Sequence, residues 1–201
     1  MSAPCPTPWV VGSEHNSEMD DIVKQALVKW PNVPDCYGWL GLDSRGNWYM
    51  RDDRAQASGP FAGGTLAGKG SLIKHEKLID FIQRNYECDA RGQWFFQNGP
   101  QRVYVELEST PWVWRLNKDE TDDFVITAHS GAPAVFQACV LDEVGRVYLQ
   151  TNLGFGLVHT QDVALAADAV EAGLWVPGDA MASGLPARFA YVVSPQLLQN
   201  K

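Results

Sequence analysis

Hydrophobic residues recur at helical spacing in three stretches of the chain, and each stretch is bounded by residues that start or stop helices. The first follows Ser17, a good N-cap, and is ended by Pro31. The second covers residues 74–87. The third follows Thr160 and stops at Gly173, a residue suited to the left-handed conformation of helix ends. The positions expected to face inward are Ile22, Val23, Ala26, Leu27, Trp30, Leu78, Ile79, Ile82, Tyr86, Val163, Ala166, Ala167 and Val170.

A second pattern occurs three times: an aspartate is followed three residues later by glycine, and then by an apolar and aromatic run. Its copies are Leu42–Met50, Cys88–Phe96 and Leu141–Leu149. The aspartate can accept hydrogen bonds from turn amides, and glycine can close the turn in the left-handed conformation. Each copy therefore predicts a β-hairpin, and the shared offsets indicate an internal repeat.

Further strands are predicted where apolar residues alternate with polar ones or form short runs between turn residues. Residues 103–108 alternate, which predicts a half-buried antiparallel strand with its polar residues on one face. Residues 111–116, 136–141 and 189–193 are the other candidates. The segment 177–186 is rich in Gly, Ala and Ser and predicts a loop.

The first and third hairpin copies are each followed by a predicted helix, so we expect an α+β fold with two related halves. Each half is predicted to be an antiparallel sheet, with an Asp-x-x-Gly hairpin, packed by one helix. The polar segment 117–123 is the best boundary. The predicted organisation is a flexible tail at 1–17, an N-terminal half at 18–116, a polar linker at 117–123 and a C-terminal half at 124–201.

Charge and hydrophobicity argue against several classes of ligand. The 201 residues carry a formal charge of −8, and residues 117–201 hold 4 basic and 10 acidic side chains. Nucleic acids and anionic membranes both attract clustered Lys and Arg, so we expect neither as a partner. No apolar run approaches the roughly 20 residues of a membrane span. With 45% apolar residues, the chain has the composition of a globular protein.

The four cysteines, Cys5, Cys36, Cys88 and Cys139, are scattered and form no paired motif. A disulfide-stabilised secreted scaffold has a higher cysteine density, and a zinc site needs paired ligands. We therefore expect reduced thiols and a cytoplasmic protein. The histidines also lack metal-ligand spacing, so neither a metal site nor a cofactor is predicted.

The glycine-rich loop at 63–71 is the nearest approach to a nucleotide-binding motif. In a phosphate-binding P-loop, Ser or Thr directly follows the lysine and reaches magnesium, but here Gly70 follows Lys69. The residues before the loop are polar and do not predict a buried strand. We interpret the loop as a flexible connection, with a nucleotide-binding loop as the alternative.

Acidic side chains offer another route to chemistry. Glu106 and Glu108 share one face of their predicted strand, where two carboxylates can act as general acid and base. Most such pairs are solvated surface, which is our interpretation here. His75 has no second histidine at the spacing of a zinc-binding helix, and we expect it in the first turn of its own helix. A small hydrolase using these residues is the alternative.

Tryptophans are concentrated in the first half, and Trp112 and Trp114 share one face of a predicted strand. Two interpretations stand: core packing, which large aromatic side chains favour, and an aromatic groove flanked by arginines. Such a groove would bind a small molecule or a peptide. Its candidate binding residues are Trp48, Trp94, Arg102, Tyr104, Trp112, Trp114 and Arg115.

Six short segments form a further pattern: Trp30–Pro34, Tyr37–Leu40, Gly46–Trp48, His75–Ile79, Arg84–Tyr86 and Phe96–Val105. Together they resemble an uncharacterised proteobacterial family of unknown function, over roughly residues 19–195. The Gly-x-Trp hairpin, the helix, the second hairpin and the Val-Glu-rich strand are similar, more loosely, to a second uncharacterised bacterial family. The second resemblance implies a repeat-containing α+β fold and a part in signalling. Neither resemblance supplies a catalytic residue.

The function expected from the sequence is non-catalytic. We expect a cytoplasmic binding or regulatory protein that recognises a protein or small ligand through an aromatic-rich surface. The reasons are the abundance of Trp and Tyr and the motifs that fall short of catalysis. A small enzyme, either a hydrolase or a nucleotide-binding protein, is the alternative, and a structural subunit of an oligomer is a third reading.

Overall fold

The computed structural model describes residues 21–30 and 32–199. The predicted tail at 1–17 and the predicted N-cap Ser17 therefore lie outside the described residues. Within the described ranges, no helix has the length and apolar character needed to cross a membrane. The chain forms two compact units. They are unit 1 (residues up to Asp43, Asn47–Glu108 and from Ala190 onward) and unit 2 (Ser44–Gly46 and Ser109–Phe189).

Each unit is a sheet with short helices. The strands of unit 1 are β1 (Cys36–Leu42), β2 (Trp48–Met50), β3 (Ser71–Leu72), β4 (Tyr86–Cys88), β5 (Trp94–Asn98) and β6 (Gln101–Leu107). Its helices are α1 (Asp21–Lys29), α2 (Asp53–Ala57), α3 (Leu66–Lys69) and α4 (Glu76–Arg84). The strands of unit 2 are β7 (Trp112–Lys118), β8 (Phe124–Ala128), β9 (Pro133–Ala134), β10 (Phe136–Asp142), β11 (Val147–Thr151), β12 (Gly154–Val158) and β13 (Pro177–Ala180). Its helices are α5 (Val163–Glu171) and α6 (Leu185–Arg188), after which α7 (Pro195–Gln199) returns to unit 1.

The two sheets share one strand order. Unit 1 reads β4-β5-β6-β1-β2-β3, and unit 2 reads β10-β11-β12-β7-β8-β9, with β13 added beside β10. Each unit thus contains six equivalent strands, β1–β6 in unit 1 and β7–β12 in unit 2. In both units the first and the sixth of these strands along the chain pair in parallel, β1 with β6 and β7 with β12. The prediction of an α+β fold with two similar halves is confirmed. The sheets are mixed rather than purely antiparallel, since these pairs and β10 with β13 are parallel.

The parallel pairing follows from the way the sheet of unit 2 closes. Only Val135 separates β9 from β10, which lie five places apart in the strand order. A flat sheet would need about 24 Å of chain there, whereas one residue spans about 3.5 Å. The sheet therefore curls until these strands meet, and the Val135 amide donates to Asn152 Oδ1 at 2.7 Å. β9 and β10 act as one interrupted strand, so the closed sheet has five strand positions: β7, β8, β9 with β10, β11 and β12. Strand direction alternates from each position to the next, and the first and fifth strands, β7 and β12, therefore run parallel. In unit 1, α4 lies between the equivalent strands β3 and β4.

Four hairpins, two in each sheet, share one turn. In each, the aspartate amide donates to the carbonyl four residues later, and the aspartate Oδ1 accepts from that residue's amide at 2.8–3.0 Å. The fourth residue of the turn has a positive φ of 66–83°. The four aspartates are Asp43, Asp89, Asp119 and Asp142. The three predicted hairpins are therefore present, together with a fourth.

The fourth copy occupies the segment interpreted as a linker between halves. Residues 117–123 form the end of β7 and the turn into β8, inside unit 2. Asp122 adopts φ 66° where the other copies have glycine, because aspartate is among the few residues that tolerate this region. The sequence analysis matched the first copy with the third, but the strand order matches the copies differently. Asp89 corresponds to Asp142, and Asp43 corresponds to Asp119.

The three predicted helices form α1, α4 and α5, with shifted limits. Tyr86 lies in β4 rather than in the second helix, and Thr160 lies in a short 3-10 turn capped by His159. In α5, Ala169 rather than Ala167 faces the core. The halves do not carry one helix each, since the described part of unit 1 also contains α2, α3 and α7.

Two C-terminal predictions differ from the structure. The segment 177–186, predicted as a loop, contains β13 and the start of α6. The segment 189–193, predicted as a strand, joins no sheet. Its backbone bonds to separate partners, as when the Val192 amide donates to the Gly92 carbonyl at 2.9 Å. The segment therefore ties the chain back to unit 1 without extending its sheet.

Candidate partner-binding surface

Four of the predicted aromatic binding residues are core residues. Trp48 and Tyr104 in unit 1 and Trp114 in unit 2 are at most 2% exposed, and Trp112 is 9% exposed. The Trp114 indole donates to the Leu149 carbonyl at 3.0 Å, and its ring stacks on that of Trp112. The central strands β6 and β7 are buried on both faces along most of their length. These side chains therefore pack the sheets, which agrees with the core-packing interpretation.

Two predicted residues of unit 1 are more accessible. The Trp94 ring is tilted against Tyr86 at a centroid distance of 4.8 Å, and the Arg102 guanidinium lies over Phe95 at 4.7 Å. The structure divides the seven candidates between the units; Trp112 and Trp114 stack on each other in unit 2, and Trp48 and Trp94 both contact Tyr86 in unit 1. The seven are Trp48, Trp94, Arg102 and Tyr104 in unit 1, and Trp112, Trp114 and Arg115 in unit 2.

Arg115, the remaining candidate, forms an ion pair. Its Nε donates to Asp162 Oδ2 at 2.6 Å, and the same oxygen accepts from the Leu116 amide at 3.1 Å. Burial by itself raises the pKa of Asp162, but the hydrogen bonds from Arg115 and Leu116 outweigh it, so the net pKa lies below its usual value. Asp162 thus stays ionised and ties the start of α5 to β7.

The glycine-rich loop is bonded to other residues of unit 1 through two cations. Lys69 Nζ lies 2.5 Å from Glu108 Oε1, so the lysine is engaged in an ion pair. The buried Arg51 donates to three carbonyls at 2.7–3.1 Å, those of Gly38, Gly59 and Gly68. Both cations therefore fix the loop to the sheet of unit 1.

Glu106 and His75 also hold the fold. Glu106 is 3% exposed, which corrects its interpretation as solvated surface. It accepts hydrogen bonds from Ser194 Oγ and the Gln196 amide at the start of α7. Burial raises the pKa of Glu106 more than these bonds lower it. His75 Nδ1 accepts from the Leu78 amide and caps α4.

The cysteine thiols are poor nucleophiles and metal ligands at neutral pH. Cys36 and Cys139 are free thiols. Burial raises the pKa of both, and that of Cys139 to about 11, so the thiolate forms are scarce at neutral pH. In the described ranges, no three His, Cys, Asp or Glu side chains are grouped to hold a metal ion.

A cluster of three rings lies in unit 2. The Trp175 ring stacks on Phe136 at a centroid distance of 4.9 Å and an interplanar angle of 6°, and it meets Phe124 at 5.6 Å. Phe124 and Phe136 lie opposite each other when the register of β8 with β9 is continued by two residues. Trp175 lies two residues before Pro177, which begins β13, and β13 pairs with β10. Trp175 is 5% exposed, and the rings form a fixed base.

The end of α5 directs Trp175 into this cluster. Gly173 has φ 71°, its amide donates to the Val170 carbonyl, and the Leu174 amide donates to the Ala169 carbonyl. This pair of bonds is the Schellman arrangement, which the sequence anticipated in Gly173. The chain then runs extended, so Trp175 faces inward while its two neighbours face outward.

Four exposed aliphatic side chains border the rings in sequence. Leu174 and Val176 flank Trp175 and are 62% and 82% exposed, while Val135 precedes Phe136 and is 66% exposed. Val125 follows Phe124 and is 36% exposed. We call Leu174 and Val176 the ring patch, because Val125 and Val135 leave their strands on the face opposite to Phe124 and Phe136. Exposed apolar side chains that flank a buried ring can serve as a docking site.

Two acidic residues lie close in sequence to the rings and the exposed aliphatic residues. Asp123 directly precedes Phe124, and Glu171 lies three residues before Leu174; both are exposed. Residues 109–189 of unit 2 contain 4 basic and 10 acidic side chains, a net charge of −6. The exposed aliphatic residues therefore lie in a part of the chain with a net negative charge.

The family model described as "Protein of unknown function (DUF2946)" matches residues 19–196. The chain belongs to this family. This confirms the resemblance to a family of unknown function drawn from the sequence. The search of curated proteins found no match. Among solved structures, the chain is similar to a DUF1285 family protein from Silicibacter pomeroyi DSS-3, at 12% identity and a TM-score of 0.46, covering 68% of this chain and 72% of that chain.

The sequence analysis did not predict the ring patch of this DUF2946 member, because its candidate residues came from the tryptophan-rich first half. A signal was present: a helix stop at Gly173 is followed by Leu174, Trp175 and Val176. An aromatic residue between two aliphatic ones in extended chain places them on opposite sides. What the pattern could not show is that Phe124 and Phe136 meet this tryptophan from two strands.

Proposed function

We propose that this DUF2946 protein is a non-catalytic binding protein whose unit 2 docks a partner protein on the ring patch. The observation that carries the proposal is the exposure of Leu174 and Val176 on either side of the buried Trp175. Phe124 and Phe136 are only half-buried, so the accessible apolar surface combines aliphatic side chains with parts of these two rings. Such a surface complements the side chains of another protein.

A partner of different sequence is favoured over a second copy of this chain. Patch-to-patch association would bring together two copies of the segment 109–189, each with a net charge of −6, and like charges oppose such docking. The free thiols of Cys36 and Cys139 support a reducing compartment, and we propose the cytoplasm as the place of action.

The test compares Leu174→Asp and Val176→Asp with Leu66→Asp, a matched control. Leu66 is 84% exposed at the first residue of α3 in unit 1 and lies outside the patch. Burying a Leu or Val side chain is worth about 1.5–3 kcal/mol, so losing one patch residue costs about 1–2 kcal/mol, or about 5- to 30-fold in Kd.

Proteins captured by the wild type are purified, and their Kd values are measured by calorimetry with all three variants. We expect the loss of affinity in the two patch variants and wild-type affinity in Leu66→Asp. Equal affinity in all three, or a dimer in light scattering that the patch substitutions dissolve, would overturn the proposal.

A further inference from the structure

Residues 190–199 follow unit 2 along the chain but pack on unit 1. Ser194 Oγ donates to Glu106 Oε2, and the Gln196 amide donates to Glu106 Oε1 at 3.0 Å. Glu106 is 3% exposed in the centre of the sheet. Because a buried carboxylate is costly without hydrogen-bond donors, unit 1 holds a site that favours the return of a segment of this kind.

Further hydrogen bonds join the same segment to unit 1. The Leu107 amide donates to the Val193 carbonyl at 2.8 Å, and Gln199 Nε2 donates to the Tyr37 hydroxyl at 3.0 Å. Glu106, Leu107 and Tyr37 all lie in unit 1. Unit 1 of a second copy therefore offers the same partners, and an identical segment can make the same contacts there.

The connection between unit 2 and this segment is short, and its backbone is strained. Helix α6 ends at Arg188, unit 2 ends at Phe189, and Ala190 adopts φ 53°. In the described ranges, Asp122 is the other non-glycine residue with a positive φ. Aspartate can offset such strain with a local hydrogen bond, but alanine has no polar side chain with which to do so. Short hinges under strain favour domain swapping, because exchange of the following segment lets the hinge extend.

The segment 190–199 carries no charge, since it contains no Asp, Glu, Lys, Arg or His. The whole chain has a formal charge of −8, which opposes association of two copies through their charged surfaces. Docking of a neutral segment adds no like-charge contact at the site on unit 1.

We propose that residues 190–199 are exchanged between two copies of this chain, with Ala190 as the hinge. The segment of each copy docks on Glu106, Leu107 and Tyr37 of the other, which gives a twofold-symmetric dimer. Closed monomer and exchanged dimer contain the same docking contacts, so the strain at the two hinges shifts the balance towards exchange. This association does not involve the ring patch and is independent of the proposed function.

The hinge is tested by measuring the dimer Kd with light scattering after incubation at increasing protein concentrations. Glycine adopts a positive φ at no steric cost, so Ala190→Gly relieves the closed monomer and should weaken the dimer at least about tenfold, since each dimer has two hinges. Ala190→Val adds strain and should strengthen the dimer. The matched control Asp122→Gly relieves the same conformation in the turn between β7 and β8 and should dimerise like the wild type, as should Leu174→Asp.

Isotope-filtered NOE spectra identify the exchanged segment in a wild-type dimer formed from labelled and unlabelled copies. Because Gln199 Nε2 lies 3.0 Å from the Tyr37 hydroxyl, we expect NOEs from the Gln199 side-chain amide of the labelled copy to the Tyr37 ring of the unlabelled copy. A dimer without these NOEs, or an equally stable dimer in Ala190→Gly, would overturn the exchange. A chain that stays monomeric at every concentration would overturn it as well, and so would a dimer that Leu174→Asp dissolves.

Discussion

The shared hairpin turn allows backbone strain and steric overlap to be measured apart. Gly92 and Gly145 occupy the same turn position, with φ of 78° and 81°. A Cβ at Gly145 would meet nothing within 4 Å, whereas a Cβ at Gly92 would overlap the Ala190 carbonyl oxygen. Alanine at Gly145 therefore adds strain alone, and alanine at Gly92 adds strain and a backbone clash.

The magnitudes follow from these two terms. A left-handed conformation costs an L-residue about 1 kcal/mol or somewhat more, which is the expected loss for Gly145→Ala. Displacing the backbone at Ala190 adds about 1–3 kcal/mol, so Gly92→Ala should lose about 2–4 kcal/mol. Gly184, with φ −89° and nothing near its Cβ position, is the control; alanine there should be neutral or stabilise by about 0.4–1 kcal/mol.

Thermal unfolding measures the series, since 1 kcal/mol corresponds to about 2–4 °C in Tm for a chain of this size. We expect Gly92→Ala to melt lowest, Gly145→Ala next, and Gly184→Ala at or above the wild type. A Gly145→Ala protein as unstable as Gly92→Ala would refute the separation of strain from overlap. An unchanged Tm for Gly145→Ala would refute the left-handed turn itself.

Three further measurements test other parts of the structure. Asp122→Val should lose about 1–2 kcal/mol because a β-branched residue is strained at φ 66°, whereas Asp122→Gly should melt at or above the wild type; the reverse order would contradict the turn. The raised pKa of Glu106 means that the folded state binds its proton more tightly than the unfolded state does, so this contribution is present at low pH and is lost as pH rises through the folded pKa. Urea unfolding should therefore show wild type gaining stability relative to Glu106→Gln between pH 7 and pH 5, and a relative loss would contradict the assignment. Cys139 should resist maleimide at pH 7 and react after unfolding, as read by mass spectrometry; rapid labelling of the native protein would contradict its burial.

Local chemistry in the sequence accounts for the hairpins. Aspartate and glycine at fixed offsets determine turns without reference to distant residues, and Gly173 marks a helix end for the same reason. The fourth turn was missed because Asp122 stands at the glycine position, although Asp119 and the run beginning at Phe124 keep the same offsets. A search that allowed aspartate or asparagine at the left-handed position would have found it.

Long-range pairing lay beyond the sequence patterns. Alternation along residues 103–108 indicated which side chains share a face, but not that β1 pairs alongside in parallel and that both faces are covered. For that reason Glu106 was interpreted as solvated and the candidate Tyr104 as accessible. The ring cluster depends on one such long-range contact: Phe124 and Phe136 follow the register of a hairpin, but Trp175 reaches them only because β13 pairs in parallel with β10.

Methyl-resolved NMR of the wild type, titrated with a partner protein captured by it, tests the docking of a partner on the ring patch most directly. Val28 and Leu66 of unit 1 are 85% and 84% exposed and serve as internal controls. We expect the methyl resonances of Leu174 and Val176 to shift together with one Kd while those of Val28 and Leu66 stay in place. Shifts confined to the unit 1 methyls, or spread equally over both groups, would contradict a binding surface on the ring patch.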